Sequence, residues 1–294
     1  MKIFIAGGTG FVGGHLLDEL LRHGHQLQLL VHKRSLKYAH DIEQIEGDVT
    51  SLESFADAVS GCGAVINLVG IIREFPARCV TFERLHVQAT VNLLAASSQA
   101  GVLRYLQMSA LGTRPEAGSR YHATKFRAEE LVRSSGLDYT ILRPSLIYGP
   151  KDAFINMLAG QLRMAPVVPV IGSGAYRLQP IHAADVARCF ALALELPETI
   201  GQSYELCGNE RLSYLELLDA VASAMGRSAP FKVHLPLGLM RTIIPVLQQV
   251  PQFPITMDQL QMLIEENICD GRWKRIFGFE PRDFREGIRE YLNR

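Results

Sequence analysis

At 294 residues the chain has room for one sizeable doubly wound domain plus a smaller lobe, and its 48% apolar and 20% charged residues exclude extended disorder. Thirty Lys plus Arg cancel thirty Asp plus Glu, so the formal charge is zero and nothing electrostatic favours nucleic acid as a partner. The cysteines Cys62, Cys79, Cys189, Cys207 and Cys269 are scattered and lack CxxC spacing, which argues against a disulfide framework or a zinc site and leads us to expect reduced thiols in a cytoplasmic protein.

Lys2 runs directly into Ile3, Phe4, Ile5 and Ala6, and Gly7 ends that run too early for a signal core, so the first strand is expected at the terminus. From there to Gly149, short runs of Ile, Val and Leu alternate with segments of helical period, the pattern of βα units around a parallel sheet. Strands are predicted over 2–6, 27–31, 43–47, 64–69, 103–108 and 139–142. Helices are predicted over 11–23, 82–100 and 121–135, with Gly24, Gly101 and Gly136 as their left-handed caps. Beyond Pro150 prolines and glycines crowd together, helix resumes at Ala183, a strand is expected at 203–207, and Ser213 with Glu216 forms a capping box. The expected fold is therefore α/β. A Rossmann doubly wound parallel sheet covers 1–150, and a small, partly interleaved C-terminal lobe covers 151–294, with part of 178–207 returning to the Rossmann sheet.

No stretch reaches the roughly 20 apolar residues of a membrane-spanning helix, so no transmembrane anchor is expected. Leu235–Val250 is apolar around Arg241 and Pro245. It suits a membrane surface or a partner subunit, but because apolar stripes usually face cores the preferred expectation is a helix covering the second lobe.

The first strand opens into Gly7, Gly8, Thr9, Gly10, Phe11, Val12, Gly13 and Gly14, glycines at GxxGxxG spacing between a strand and a helix. Gly7 allows the turn, Gly10 lets backbone approach a diphosphate, and Gly13 permits close helix packing, while the helix N-terminus offers free N–H groups to phosphate. Dinucleotide binding is the chemistry this pattern serves. Past strand 2, where a carboxylate would grip the adenosine ribose of NAD(H), stand His32, Lys33, Arg34 and Ser35, with no acid before Asp41. Arg34 or Lys33 can pair with a 2′-phosphate, so NADP(H) is favoured, and NAD(H) stays open. Asp48, followed by Val49, is placed to accept from an adenine amino group or, equally, to cap the helix near Ser51. Asn67, Leu68, Val69 and Gly70, at the end of strand 4, are expected to border the nicotinamide half.

Tyr121 and Lys125 are four apart on a predicted helix and so share a face. Positive charge beside it, from Lys125 and an oxidised nicotinamide, favours tyrosinate, which lets a tyrosine relay a proton during hydride transfer. Ser109, ending strand 5, can donate to a substrate carbonyl. Without turnover, Lys125 would only hold the nicotinamide ribose with Tyr121 packed beside it. Other polar residues read as structural: His23, His25, His32 and His40 point in different directions, which disfavours a metal site, and Arg143 is expected to line the cofactor cleft or pair with a carboxylate. Phe154, Met157 and Met164 read as core.

The order of motifs resembles the extended and atypical short-chain dehydrogenase/reductase superfamily, the epimerase/dehydratase-like proteins: GGTGFVGG at 7–14, GDV at 47–49, HVQATVNLL at 86–94, YHATK at 121–125, LRPSLIYGP at 142–150 and IHAADVA at 181–187. Within it, INLVGIIRE at 66–74 is most similar to the branch holding the NADPH-binding accessory subunit of respiratory complex I and its bacterial relatives. The resemblance implies a Ser109, Tyr121 and Lys125 set, a cofactor cleft that includes Pro144, and a lobe-packing role for His182 and Asp185. It implies an oxidoreductase or redox-assisted epimerase or dehydratase acting on a small carbonyl or alcohol whose identity is open. The alternative it carries is a non-catalytic NADPH-holding subunit or assembly factor, peripherally associated with a membrane respiratory complex. Met108, Ser109 and Ala110 replace the family's paired serine or threonine, which weighs against a nucleotide-sugar substrate.

Overall fold

The computed structural model describes residues 1–34, 42–250 and 253–293. Ser35, His40 and Asp41 lie outside the described residues. The chain divides into two compact units: unit 1 is Met1–Pro144 with Ala183–Glu205, and unit 2 is Ser145–His182 with Leu206–Arg294.

Unit 1 begins with β1 (Lys2–Ala6), α1 (Phe11–Arg22), β2 (Gln26–Val31), β3 (Ile42–Glu46), β4 (Ala64–Asn67), α2 (Ala89–Gln99), β5 (Arg104–Met108), α3 (Arg120–Arg133) and β6 (Asp138–Pro144). The chain then supplies β7 (Ile147–Tyr148), α4 (Phe154–Met164), β8 (Val167–Ile171), β9 (Arg177–Leu178) and β10 (Ile181–His182) to unit 2. It returns through α5 (Ala183–Glu195) and β11 (Gln202–Leu206).

Seven strands form one sheet in the order β11-β6-β5-β4-β1-β2-β3. β1 pairs in parallel with β2 on one side, Ile5 opposite Leu29, and with β4 on the other, Ile5 opposite Ile66. Strand order reverses at β1, so a crevice opens beyond the carboxyl ends of β1 and β4, where open α/β sheets receive ligands. A strand with layers on both faces must be apolar throughout, and Ile3, Phe4, Ile5 and Ala6 are all wholly buried. Phe4, Phe55, Val65, Leu93 and Tyr105 belong to the core on one face, while α1 packs on α5.

The predicted caps Gly24, Gly101 and Gly136 all have φ between +69° and +74°. The expected single helix over 82–100 is in fact two pieces: Glu83–Gln88 is π-helical and α2 follows. Such bulges concentrate at functional sites, and this one carries His86.

Unit 2 is completed by β12 (Leu212–Ser213), α6 (Tyr214–Ala224), β13 (Phe231–Leu235), α7 (Leu237–Leu247), α8 (Met257–Ile264), α9 (Trp273–Phe277) and α10 (Phe284–Leu292). Among the described residues its strands form two-stranded sheets, β7 with β10, β9 with β12 and β8 with β13. Tyr148, Leu158, Val170, Leu217 and Phe284 are among its core, with Phe154 and Met157 packed against it. The capping box at the start of α6 is present, Ser213 Oγ accepting from Glu216 N and Glu216 from Ser213 N.

Three expectations are corrected in this unit. Cys207 and Cys269 form a disulfide across 62 residues of sequence, contrary to the expected reduced thiols, because the fold brings their Cα atoms to 6.1 Å. Trp273 Nε1 donates to Cys207 O beside it. Met164 stands in solvent instead of the core. Finally, α7 covers the unit on one side only: Ile244 is buried and Leu237, Met240 and Ile243 half-buried, but Leu239, Val246 and Leu247 are exposed.

Candidate functional site

The turn after β1 is built by backbone alone. Gly7 has φ +81°, and a Cβ there would meet Leu68 C and Val69 N at 2.8 Å, so only glycine lets β1 and β4 end this close together. A Cβ on Gly13 would sit 2.2 Å from Gly8 O, which presses α1 onto the turn. Gly10 N donates to Gly7 O at 3.0 Å and Gly10 is the N-cap of α1, with no side-chain cap and no acidic residue in the first turn. The amides of Phe11, Val12 and Gly13 therefore form a positive helix end with no carboxylate in its own first turn, and Thr9 and Gly10 are exposed beside them. This cradle, which side chains would fill, fits a dinucleotide diphosphate.

At the ends of β4 and β5 lies a buried ammonium. Lys125, on α3, is 2% exposed, and its Nζ donates to Val69 O at 3.2 Å and Met108 O at 3.1 Å. A Cβ on Gly70 would lie 2.9 Å from that Nζ, so a side chain there would have to displace the ammonium. Burial pulls the Lys125 pKa down to about 8, with Glu129 opposing. Two carbonyls and a neighbouring carboxylate explain how an amine is kept so deep.

One turn earlier on α3, the Tyr121 ring packs edge-on against Phe82, His86 and His122, with centroids 5.2 to 5.9 Å apart. Burial raises its phenol to about 12. In the protein without cofactor, burial thus favours the protonated phenol, while the Lys125 ammonium donates to two carbonyls. Ser109 follows β5, its amide donating to Leu142 O and its Oγ to Thr113 Oγ1 at 3.4 Å.

His86 was not anticipated. Its Nε2 accepts from Ile71 N at 3.2 Å, which leaves Nδ1 to donate to Thr124 Oγ1 at 2.9 Å, and Thr124 in turn donates to backbone carbonyls of Arg120 and Tyr121. Burial first, then Lys125, lowers its pKa to about 2, so it is a neutral strut tying the chain after β4 to α3. Thr124 was legible as the i+3 neighbour of Tyr121; the burial of His86 was not. A second tie is Arg120 Nη1 to Glu74 Oε2 at 2.8 Å.

The remaining expected residues divide. His32, Lys33 and Arg34 are exposed beyond β2. Asp48 Oδ1 accepts from Thr50 N and Oγ1, both at 2.8 Å; burial opposes ionisation, but these bonds, with His32 and Arg84, hold the carboxyl below its usual range. Val49 faces the core and its carbonyl accepts from Asn92 Nδ2. The Asn67 side chain is turned inward, donating to Thr90, Tyr105 and Gln107 and accepting from Val69 N, and so is not offered at the strand end. Leaving such a buried amide unpaired costs about 1–3 kcal/mol, which accounts for its full set of partners. Pro144 ends β6 and its carbonyl accepts from Leu111 N. Arg143 forms a two-bond pair with the wholly buried Glu129. Among the described residues no three His, Cys, Asp or Glu side chains cluster as metal ligands.

Residues 3–207 match the family described as NAD dependent epimerase/dehydratase. The chain belongs to that family. Among its relatives is the mitochondrial NADH dehydrogenase [ubiquinone] 1 alpha subcomplex subunit 9 of Arabidopsis thaliana, 29% identical over 277 residues that cover 90% of this chain and 68% of the relative. Another is a 3-beta-hydroxysteroid dehydrogenase of Mycolicibacterium neoaurum, 28% identical across 78% of this chain and 71% of that protein. The fold is shared with the NAD-bound dTDP-glucose 4,6-dehydratase DesIV of Streptomyces venezuelae, TM-score 0.76 at 20% identity, over 99% of this chain and 96% of that one. The expectation of a cytoplasmic location is overturned, because the Arabidopsis relative and a similar Neurospora crassa subunit are mitochondrial. Among the described residues no helix is long and apolar enough to cross a membrane.

Proposed function

We propose that unit 1 binds NADP(H) along the strand ends and performs redox or redox-assisted chemistry at a carbonyl or alcohol of a small organic substrate. The observation that carries this reading is Lys125, a buried ammonium held at the ends of β4 and β5 against a bare Gly70, one helical turn from Tyr121. The glycine cradle would hold the diphosphate, the backbone at Leu68–Gly70 and Pro144 the nicotinamide half, and Asp48 and Val49 the adenine side. Lys33 and Arg34, with His32, would meet a 2′-phosphate, which is the ground for preferring NADP(H) within a family described as NAD dependent.

The bound cofactor supplies the hydride acceptor or donor. Lys125 orients it through the ribose and adds positive charge near the phenol; Tyr121 holds the proton that moves to or from the substrate oxygen; Ser109 Oγ orients that oxygen. A Tyr121 raised to about 12 suits the acid role and needs added positive charge to act as base.

The second reading, favoured by the likeness to the Arabidopsis subunit across 90% of the chain, is a subunit or assembly factor that holds NADPH without turnover. Tyr121→Phe separates the two. For the enzyme, NADPH-dependent reduction across a panel of ketones and aldehydes falls at least about a hundredfold, as loss of a positioned proton donor implies, with NADPH affinity kept. Absence of any turnover by the wild-type protein that binds NADPH supports the subunit.

A further inference from the structure

We propose that unit 2 docks on the surface of an anionic lipid bilayer through α7 and the outer face of the β8/β13 pair. On α7, Leu239 is 52% and Val246 68% exposed, and Ile243 lies between them at the i, i+4, i+7 spacing of one helical stripe, while Ile244 on another side is wholly buried. A helix apolar on both sides belongs inside a protein or against an apolar medium, and here one side is open.

The strand pair repeats the arrangement. In its parallel register Phe231 stands opposite Val167 and Val233 opposite Pro169. All four are exposed, Phe231 by 71%, while the alternate residues Val168 and Val170 are wholly buried. The pair thus turns an apolar row outward, while inward only β8 is apolar, Lys232 and His234 being the alternate residues of β13; apolar rows on a surface mark interaction sites.

Charge selects the occupant. In a chain with equal numbers of acids and bases, residues 220–257 contain Arg227, Lys232 and Arg241 and no Asp or Glu, and 153–184 contain Arg163 and Arg177, again with no acid. Lys232 is paired with Asp219 and Arg177 with Glu266, whereas Arg163 is exposed in the last turn of α4 and Arg241 on α7, across the helix from Leu239. Three carboxylates come from neighbouring elements: Asp219 on Lys232, Glu266 on Arg177, and Asp258 in the first turn of α8, which packs on α7. Aliphatic side chains with more cations than acids around them suit the boundary of headgroups and acyl chains in an anionic leaflet. An 11-residue helix is too short to span, so α7 would lie in the plane of the interface.

Flotation of the full chain with phosphatidylcholine vesicles, with and without phosphatidylglycerol, tests this. The protein is expected to float with the anionic vesicles, far less with the neutral ones, and less at high salt. Leu239→Glu with Val246→Glu is expected to abolish flotation without lowering the melting temperature, since both side chains are exposed. Arg241→Gln is expected to weaken it about fivefold. No flotation of the wild-type protein, or equal flotation of the double variant, overturns the proposal. So does a concentration-dependent dimer that the double variant dissolves while the wild-type protein ignores vesicles, since a second copy would then cover the face.

Discussion

In unit 1 an ammonium and an imidazole, Lys125 and His86, lie almost wholly buried at the strand ends, whereas in unit 2 Leu239, Val246 and Phe231 stand in solvent. The buried pair is tolerated because every polar atom named has a carbonyl, an amide or a hydroxyl to meet, and because the histidine gives up its charge. The exposed residues have no such compensation within the chain. Buried polarity of the first kind points to a reaction or a cofactor, and exposed apolar surface of the second to a partner. The units are also tied differently: unit 1 by a seven-stranded sheet, unit 2 by two-stranded pairs and a disulfide.

The largest expected effect breaks that last contrast apart. Replacing Cys207 and Cys269 by Ala should destabilise the protein by about 2–4 kcal/mol, read in urea unfolding, while NADPH titration is unchanged because the bond lies wholly in unit 2. Loss of NADPH affinity in step with the bond would erase the distinction. Next comes Gly13→Ala. Its Cβ meets backbone at 2.2 Å, so the change should cost about 1–3 kcal/mol and weaken NADPH binding, since α1 must move off the turn.

His86 gives a pH test with a definite sign. Above its ordinary value of 6.5 the imidazole is neutral folded or unfolded; below it, the unfolded chain takes up a proton that the folded protein refuses until about pH 2. Stability therefore falls with falling pH, by up to about 1.4 kcal/mol per pH unit. His86→Gln, which keeps an acceptor for Ile71, should flatten the curve between about pH 7 and about pH 5; an unchanged slope means His86 is not the buried neutral strut. The smallest effect is expected at Arg34. Arg34→Glu should weaken NADPH about tenfold, the worth of one charged hydrogen bond, and leave NADH nearly unchanged.

Much of unit 1 was legible, for a physical reason. A strand covered on both faces must be an unbroken apolar run, and a helix that stops on a left-handed residue wants glycine, so β1, β2 and the caps Gly24, Gly101 and Gly136 announce themselves locally. The spacing of Tyr121 and Lys125 declared a shared face. Which way Asn67 turns did not, because strand alternation says nothing about which buried partners an amide will find. In unit 2, two-residue strands such as β7 and β10 are too short to carry a period, and a pair of cysteines 62 residues apart has no spacing signature. An apolar stripe on α7 reads the same whether it faces a core or solvent, which is why the exposure of Leu239 and Val246 could not be read from the sequence.

Everything assigned to unit 1 turns on the backbone cradle at Gly7–Gly13 accepting a dinucleotide. Calorimetric titration of the folded wild-type protein with NADPH and NADH measures this directly. The account predicts saturable binding of one NADPH per chain, tighter than NADH and weakened by Gly13→Ala; a folded protein that gives no saturable binding with either cofactor contradicts it.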